Sequence, residues 1–348
     1  RHPPDESPGQ PAGQSVPDRG TPAASQHPAA EQIPQDLLVS AAARIVPGPA
    51  TSRRTMAERF VAGARVSGTD LTCTFGVVDR AVPTRPWVRQ ACFAIPGPGR
   101  TAMLLISGPI GSGIETDRDR AERVASIRAA AEACDSERIK LVQALPDAEA
   151  GAVQDALREA DFMHVGDLAY LERQVSQREA RRAPAPYPSG ISVRAIASIE
   201  RGSPDRRRLV EGLEASYTDT LDCPELCGLR ETDDIIDSHA ATGSMTHAHW
   251  RIAFSGTSPI ACVLVSVVPD TGTAELVYLG VARSARGMGL GTTLVQNAIL
   301  GLAGTDAQRM VCAVDRRNHP AAALYESLGF IEFSGRSAYV RTTTPRRA

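Results

Sequence analysis

Residues 281–295 read VARSARGMGLGTTLV. Gly287, Gly289 and Gly291 stand at alternate positions after an arginine, with an apolar run before them and a helical pattern after. A strand that breaks into bare backbone and restarts as a helix aims consecutive N–H groups at one place, beside the positive end of the helix dipole. That arrangement suits an anion, and it confines the fold to classes in which a strand leads directly into a helix. Two common phosphate loops do not fit. GxxxxGK[ST] needs a lysine that this loop lacks. The dinucleotide fingerprint needs GxGxxG near the start of a parallel sheet, whereas these glycines read GxGxG and follow three strand-like runs. A tight turn with incidental glycines is the bland alternative.

The flanking pattern sets the fold class. HWRIAFS (249–255), PIACVLVSVV (259–268) and TAELVYLGV (273–281) are strand-like and parted by turn residues, which predicts an antiparallel meander. Upstream, ISVRAI (191–196) alternates as a half-buried strand does, and Leu209, Leu213 and Tyr217 have helical spacing. After the loop, Val295, Ala298, Ile299 and Leu302 share a helix face. RMVCAV (309–314) reads as a buried strand, PAAALYESLG (320–329) as a short helix and SAYVRT (337–342) as a last strand. Pro320 suits the helix's first turn and Gly329 its stop. The sum is an α/β domain around a mixed sheet.

The first part of the chain echoes the second. ERIKLVQAL (137–145), a helix and ADFMHVGDLAYLER (160–173) parallel QRMVCAV (308–314), a helix and LGFIEFSGRSAYVR (328–341). TAMLLIS (101–107) also precedes a glycine-rich GPIGSG and a helical stretch. Such self-similarity predicts two diverged copies of one fold. We divide the chain into a disordered Pro/Gly/Ala-rich tail over 1–50, a first domain over 51–176, a basic and proline-rich linker over 177–190, and a second domain over 191–348.

Composition bounds the partners. At 348 residues and 42% hydrophobic, the chain can build two cores. Its formal net charge of -2 supplies no global basic field for nucleic acid or an anionic membrane. No apolar run approaches the roughly 18 residues that a membrane span needs. Seven scattered cysteines favour a reducing, cytoplasmic setting over a disulfide framework. Cys223 and Cys227 are a close pair, but His239, His247 and His249 do not complete a four-ligand zinc pattern, so no metal is expected.

RGMGLG (286–291) resembles the (Gln/Arg)-x-x-Gly-x-(Gly/Ala) loop of the GNAT superfamily of acyl-CoA-dependent N-acyltransferases. NHPAAALYESLGF (318–330) is similar to that family's downstream Asn-x-x-Ala-x-x-Leu-Tyr-x-x-x-Gly-Phe motif, in the expected order and at the expected distance. The resemblance covers about 150 residues of the second block, and for the first block it rests on element order and the echo. It implies an α/β (α+β) chain of two GNAT-like domains, each a mixed, mostly antiparallel sheet flanked by helices. It also implies acetyl-CoA as co-substrate. Arg286, Gly287, Met288, Gly289, Leu290, Gly291 and Thr292 would cradle the pyrophosphate, Asn318 would contact the cofactor arm, and the backbone of Leu279 and Val281 would pair with the pantetheine. Arg286 can equally serve only to hold the loop, and Asn318 only to cap a helix.

Amine acylation needs a base for a protonated amine and an acid for the departing thiolate. Glu275 lies on the strand entering the loop, and strict alternation places it on the face of Val277, Leu279 and Val281. A carboxylate on an apolar face has a raised pKa, which suits a base, and histone-acetylating members of the superfamily carry a glutamate base on this strand. A solvated, idle Glu at the sheet edge is the alternative. Tyr325 matches the motif tyrosine that protonates the coenzyme A thiolate, although a core aromatic on a short helix is the plainer reading. The acceptor site should come from residues 217–247, where Glu231, Asp233, Asp234 and Asp237 can either attract a cationic amine or form a solvated helix face.

The first block's loop, GPIGSGIETD, lacks the leading Arg, and Glu115 and Asp117 put negative charge where a pyrophosphate would sit. A degenerate copy is expected there. The sequence therefore points to an N-acetyltransferase acting on a small-molecule or peptide amine, as monomer or homodimer. The alternative is a catalytically idle acyl-CoA-binding or regulatory module.

Overall fold

The structure is a computed structural model that describes residues 29–111, 115–135, 138–176, 178–179, 182–243, 247–268 and 270–343. The first half runs β1 (Glu31–Gln32), α1 (Leu38–Ala42), α2 (Ala50–Val66), β2 (Thr74–Asp79), β3 (Trp87–Gly97), β4 (Thr101–Ile106), α3 (Asp117–Ala133), β5 (Leu141–Ala144), α4 (Gly151–Glu159) and β6 (Met163–Gln174). The second runs β7 (Ile191–Ala195), α5 (Pro204–Tyr217), α6 (Thr232–Ala240), β8 (Arg251–Ser255), β9 (Ser258–Val268), β10 (Thr273–Val281), α7 (Leu290–Leu300), β11 (Arg309–Asp315), α8 (His319–Ser327) and β12 (Ile331–Thr342). Local chemistry accounts for several boundaries. The Ser203 hydroxyl caps α5 by accepting from the Arg206 N–H at 3.2 Å, with Pro204 in the first turn.

The described strands form one sheet, in the order β1-β2-β3-β4-β5-β12-β6-β11-β10-β9-β8-β7. Each half contributes five strands in sequence, then admits the other half's last strand, then its own. Thus β6 lies between β12 and β11, and β12 lies between β5 and β6. The parallel pairs, β4 with β5 and β10 with β11, occupy matching places in the two halves, and the neighbouring pairs are antiparallel. The expected mixed, mostly antiparallel sheet flanked by helices is what forms, including the β8-β9-β10 meander.

The cores follow the exchange. Ala169 and Leu171 of β6 belong to the cluster that contains Leu290, Leu294 and Ile299 of α7. Tyr339 of β12, fully buried, belongs instead to the cluster of Ile127 and Leu157 on α3 and α4. A separate cluster around the fully buried Trp250 packs Leu209 and Leu213 of α5 and Ile236 of α6 on the sheet's other face. Each buried aliphatic or aromatic side chain contributes about 1.5–3 kcal/mol, so each half's core depends on residues encoded in the other.

The tail expected over 1–50 does not extend that far. Ile33, Leu38, Ala41 and Ala42 are buried against Val61 and Phe93, because IPQDLLVSAAARIV carries enough apolar surface to order itself on β3. Residues 1–28 lie outside the described residues, as do Gln177, Ala180 and Arg181 of the expected linker. Further along that linker, Ala185 is fixed to α7. Its N–H donates to the Asn297 side chain at 2.9 Å, and its carbonyl accepts from the same amide at 3.0 Å. Among the described residues no helix is long and apolar enough to cross a membrane.

Candidate active site

The parallel ladder between β10 and β11 pairs Thr273–Glu275 with Arg309–Val311 and ends there. A register shift follows at once, between Leu276 and Tyr278 on the β10–β9 side. Beyond it a cleft of about 700 Å³ opens between Leu276–Val281 of β10 and Ala313 and Val314 of β11. That volume is in the range of small-molecule sites. Leu279, Val281, Arg286, Gly287, Gly289, Leu290, Gly291, Thr292, Asn318 and Tyr325 all line it, so most of the sequence-derived site converges.

Two glycines of the loop hold backbone conformations that side chains resist. Gly287 and Gly289 have φ of +78° and +75°, a region that side chains rarely adopt. Gly291 serves close packing instead, since a Cβ there would meet Leu324 Cδ1 at 3.1 Å. The Thr293 N–H donates to the Gly289 carbonyl at 3.1 Å, which leaves the amides of Leu290, Gly291 and Thr292 without an intrahelical acceptor at the head of α7.

Arg286 binds protein rather than open space. Its guanidinium donates to the carbonyls of Ser216 (3.0 Å), Thr218 (2.8 Å), Asp219 (2.9 Å) and Val281 (3.1 Å). It thereby neutralises the negative end of α5 and anchors the loop to it. The loop-holding alternative is the one its side chain fulfils. Met288 is exposed and does not line the cleft.

Glu275 also departs from the expected geometry. It pairs with Ser266 of β9, whereas Leu279 and Val281 pair with Val263 and Ala261. Alternate residues of β9 point to opposite faces, so Glu275 faces away from Leu279 and Val281. The cause is the bulge at Val277, which adds one residue to β10 and inverts the phase. Burial pushes the Glu275 carboxyl above its ordinary value, but it does not line the cleft.

Tyr325 is buried in the cleft wall, its ring 5.5 Å from that of Phe330. Burial raises its phenol well above 10, so it stays protonated. Asn318 caps α8, its side-chain oxygen accepting from the Ala321 N–H at 3.3 Å, and it also lines the cleft. The opposite wall carries residues that the sequence pattern did not single out. The Tyr278 hydroxyl donates to Ser216 Oγ at 2.8 Å, because the Ser216 O–H is directed to the Leu213 carbonyl. His239, named above only as an incomplete zinc pattern, does not itself line the cleft but lies against the Tyr278 ring at 5.6 Å, and burial holds its imidazole down at about 4, hence neutral. Asp222 lines the cleft from the segment after α5.

The acidic stretch near α6 is internally compensated. Asp234 accepts from Arg201 at 2.9 Å, Asp237 accepts from the buried Arg206 at 2.7 Å, and Asp233 pairs with Arg206 as well. In the first half, the fully buried Arg123 donates to the Ser107 carbonyl at 2.9 Å and pairs with Glu115. Arg44 holds the carbonyls of Gly108 (3.0 Å) and Pro109 (3.3 Å). The backbone entering GPIGSGIETD is thus tied down by arginines, while Ser112, Gly113 and Ile114 lie outside the described residues.

Residues 213–330, which hold the cleft and both of its helices, match the Acetyltransferase (GNAT) family. These residues are a GNAT acetyltransferase domain. A mycothiol acetyltransferase of Beutenbergia cavernae is 32% identical to this chain over 90 residues, 26% of this chain and 30% of that relative. The match therefore spans under a third of the relative's length. Among solved structures, a GCN5-related N-acetyltransferase from Sphaerobacter thermophilus superposes with a TM-score of 0.53 at 14% identity, over 91% of this chain and 96% of that one. A GCN5-related glucosamine N-acetyltransferase region of a fungal multi-domain GH3 beta-N-acetylglucosaminidase gives 0.52 at 12% identity, over 89% of this chain and 38% of that one. Both likenesses concern the fold. Together they extend the GNAT fold beyond the matched domain to most of the chain.

Proposed function

We propose that the chain is an acyl-CoA-dependent N-acetyltransferase. It moves the acetyl group of acetyl-CoA to a primary amine of a small molecule or peptide by direct attack in a ternary complex. The observation that carries this reading is one cleft with an open helix head at one end and, in its wall, a tyrosine whose phenol burial raises. The loop amides from Gly287 to Thr292 would receive the pyrophosphate, and Leu279 and Val281 on the unpaired edge of β10 would flank the pantetheine. Tyr325 would give its proton to the departing thiolate, and Asn318 would steady the cofactor arm. The first half is a copy without a ligand, retained because β6 completes the second half's sheet.

The test is release of free thiol from acetyl-CoA and longer acyl-CoAs over a panel of peptides, polyamines, aminoglycosides and amino acids. Calorimetry should show one coenzyme A per chain. Two per chain would overturn the reading of the first half, and binding without thiol release from any amine would favour the idle module. Replacing Gly289 by Val bears on the loop itself. Nothing lies within 4 Å of a Cβ at this position, so the fold survives. The positive φ, however, imposes strain of about 1–3 kcal/mol, relieved by displacing the loop amides. Coenzyme A should bind at least about tenfold more weakly by calorimetry while circular dichroism is unchanged.

A further inference from the structure

Resting on the N-acetyltransferase reading, we propose that Asp222 is the catalytic residue that takes the proton of the incoming amine. Asp222 lies in the cleft lining that also holds Asn318 and Tyr325, and it comes from the α5–α6 segment, opposite the helix α8 that carries Tyr325. Its position is fixed from three sides. The Asp315 N–H, at the end of β11, donates to Asp222 Oδ1 at 2.9 Å. The next residue returns the contact, the Cys223 N–H donating to Asp315 Oδ2 at 3.0 Å. The Asp222 N–H donates to Thr220 Oγ1 at 3.1 Å, and the Asn318 amide lies beside the carboxylate. Asp219 and Cys223, on either side, sit at φ of +51° and +45°. Asp315 is neutralised by Arg317, which also holds Glu225, and Asp219, the other carboxylate of the cleft lining, pairs with Arg283, so among the described lining residues Asp222 is the carboxylate without an arginine directly upon it.

An alkylammonium transfers one proton to the Asp222 carboxylate, which passes it to solvent, since the residue lines the cleft and remains exposed. The free amine nitrogen attacks the thioester carbonyl carbon, the N–C bond forms and the C–S bond breaks. The second amine proton is lost as the amide forms, and the thiolate leaves as thiol on taking a proton from Tyr325, which that second proton restores. Acetyl-CoA and the ammonium thus become amide, free coenzyme A and one proton.

Crowding by protein pushes the Asp222 carboxyl above its ordinary range, opposed by the Asp315 N–H and reinforced by the Asp315 charge. The groups facing it are Asp315, Arg317 and Cys223 close by, Cys312 on β11, Tyr278 on β10 and Tyr325 on α8. A base works only when deprotonated, so kcat in the wild-type chain should rise with pH through a pKa above the usual carboxylate value of about 4.

The experiment compares wild type, Asp222→Asn and Glu275→Gln on one amine that the wild type acetylates, with coenzyme A affinity measured for each. Asparagine keeps the acceptor for the Asp315 N–H. The expected result is a kcat at least about a hundredfold lower for Asp222→Asn, coenzyme A affinity within twofold of wild type, and loss of the acid limb. A kcat within threefold of wild type removes Asp222, as does a hundredfold loss confined to Glu275→Gln. Should Asp222→Asn fail to fold, a wild-type kcat profile without a limb above the ordinary carboxylate range also overturns the assignment. A wild-type chain that releases no thiol with any amine removes the transferase reading itself, an outcome distinct from normal turnover by an undamaged Asp222→Asn.

Discussion

A chain cut back to residues 182–348 should fail to fold on its own, although it retains the whole matched domain at 213–330. In the full chain, Arg309–Asp315 of β11 pair with Leu168–Gln174 of β6, and β12 is held by β5 and β6. Truncation removes β5 and β6 together, so β12 loses both neighbours and β11 becomes an edge that carries Met310, Cys312 and Val314. An unprotected apolar edge pairs with whatever edge it meets. The core under α7 loses Ala169 and Leu171 at the same time. We expect an aggregating or molten product with lost near-ultraviolet dichroism and no thiol release, and partial recovery when a separately made 29–176 fragment is refolded with it. A monomeric 182–348 fragment with a cooperative melt and wild-type turnover would show the exchange to be dispensable.

Replacing Tyr325 by Phe should lower kcat about a hundred- to a thousandfold while coenzyme A affinity stays within twofold. The substitution removes one oxygen and leaves the ring against Phe330, so packing is kept. What disappears is a donor that burial holds protonated well above 10. The wild-type profile should accordingly show no loss of activity from this group anywhere below about pH 10. Stopped assays of thiol release with saturating amine measure the difference directly, and turnover of the Phe variant within threefold of wild type would assign the proton to another donor.

What the sequence disclosed were features whose cause is local. Alternating glycines fix φ, and Asn318 followed by Pro320 fixes a helix start, so the loop and α8 were legible residue by residue. The meander was legible for the same reason. The phase of β10 was not, because TAELVYLGV has too little polar contrast to betray the extra residue at Val277. Arg286 was ambiguous because its partners, Ser216 to Asp219, lie nearly 70 residues upstream and a carbonyl cluster leaves no trace in composition. Asp222 was not singled out because it sits in no periodic element. The echo between halves announced two copies, but a period records neither which copy's strand fills which gap nor how far β1 and α1 reach into the N-terminal stretch.

The exchanged strands also govern the order in which the molecule can be completed. The gap between β5 and β6 is filled by residues Ile331–Thr342, about 190 residues downstream of β5. As the polypeptide leaves the ribosome, its first half therefore waits, its sheet split, until Ile331–Thr342 have been made. Contacts of such separation are slow to form and are often preceded by exposed intermediates. For this architecture synthesis from the N-terminus gives no head start: both halves close together, and last.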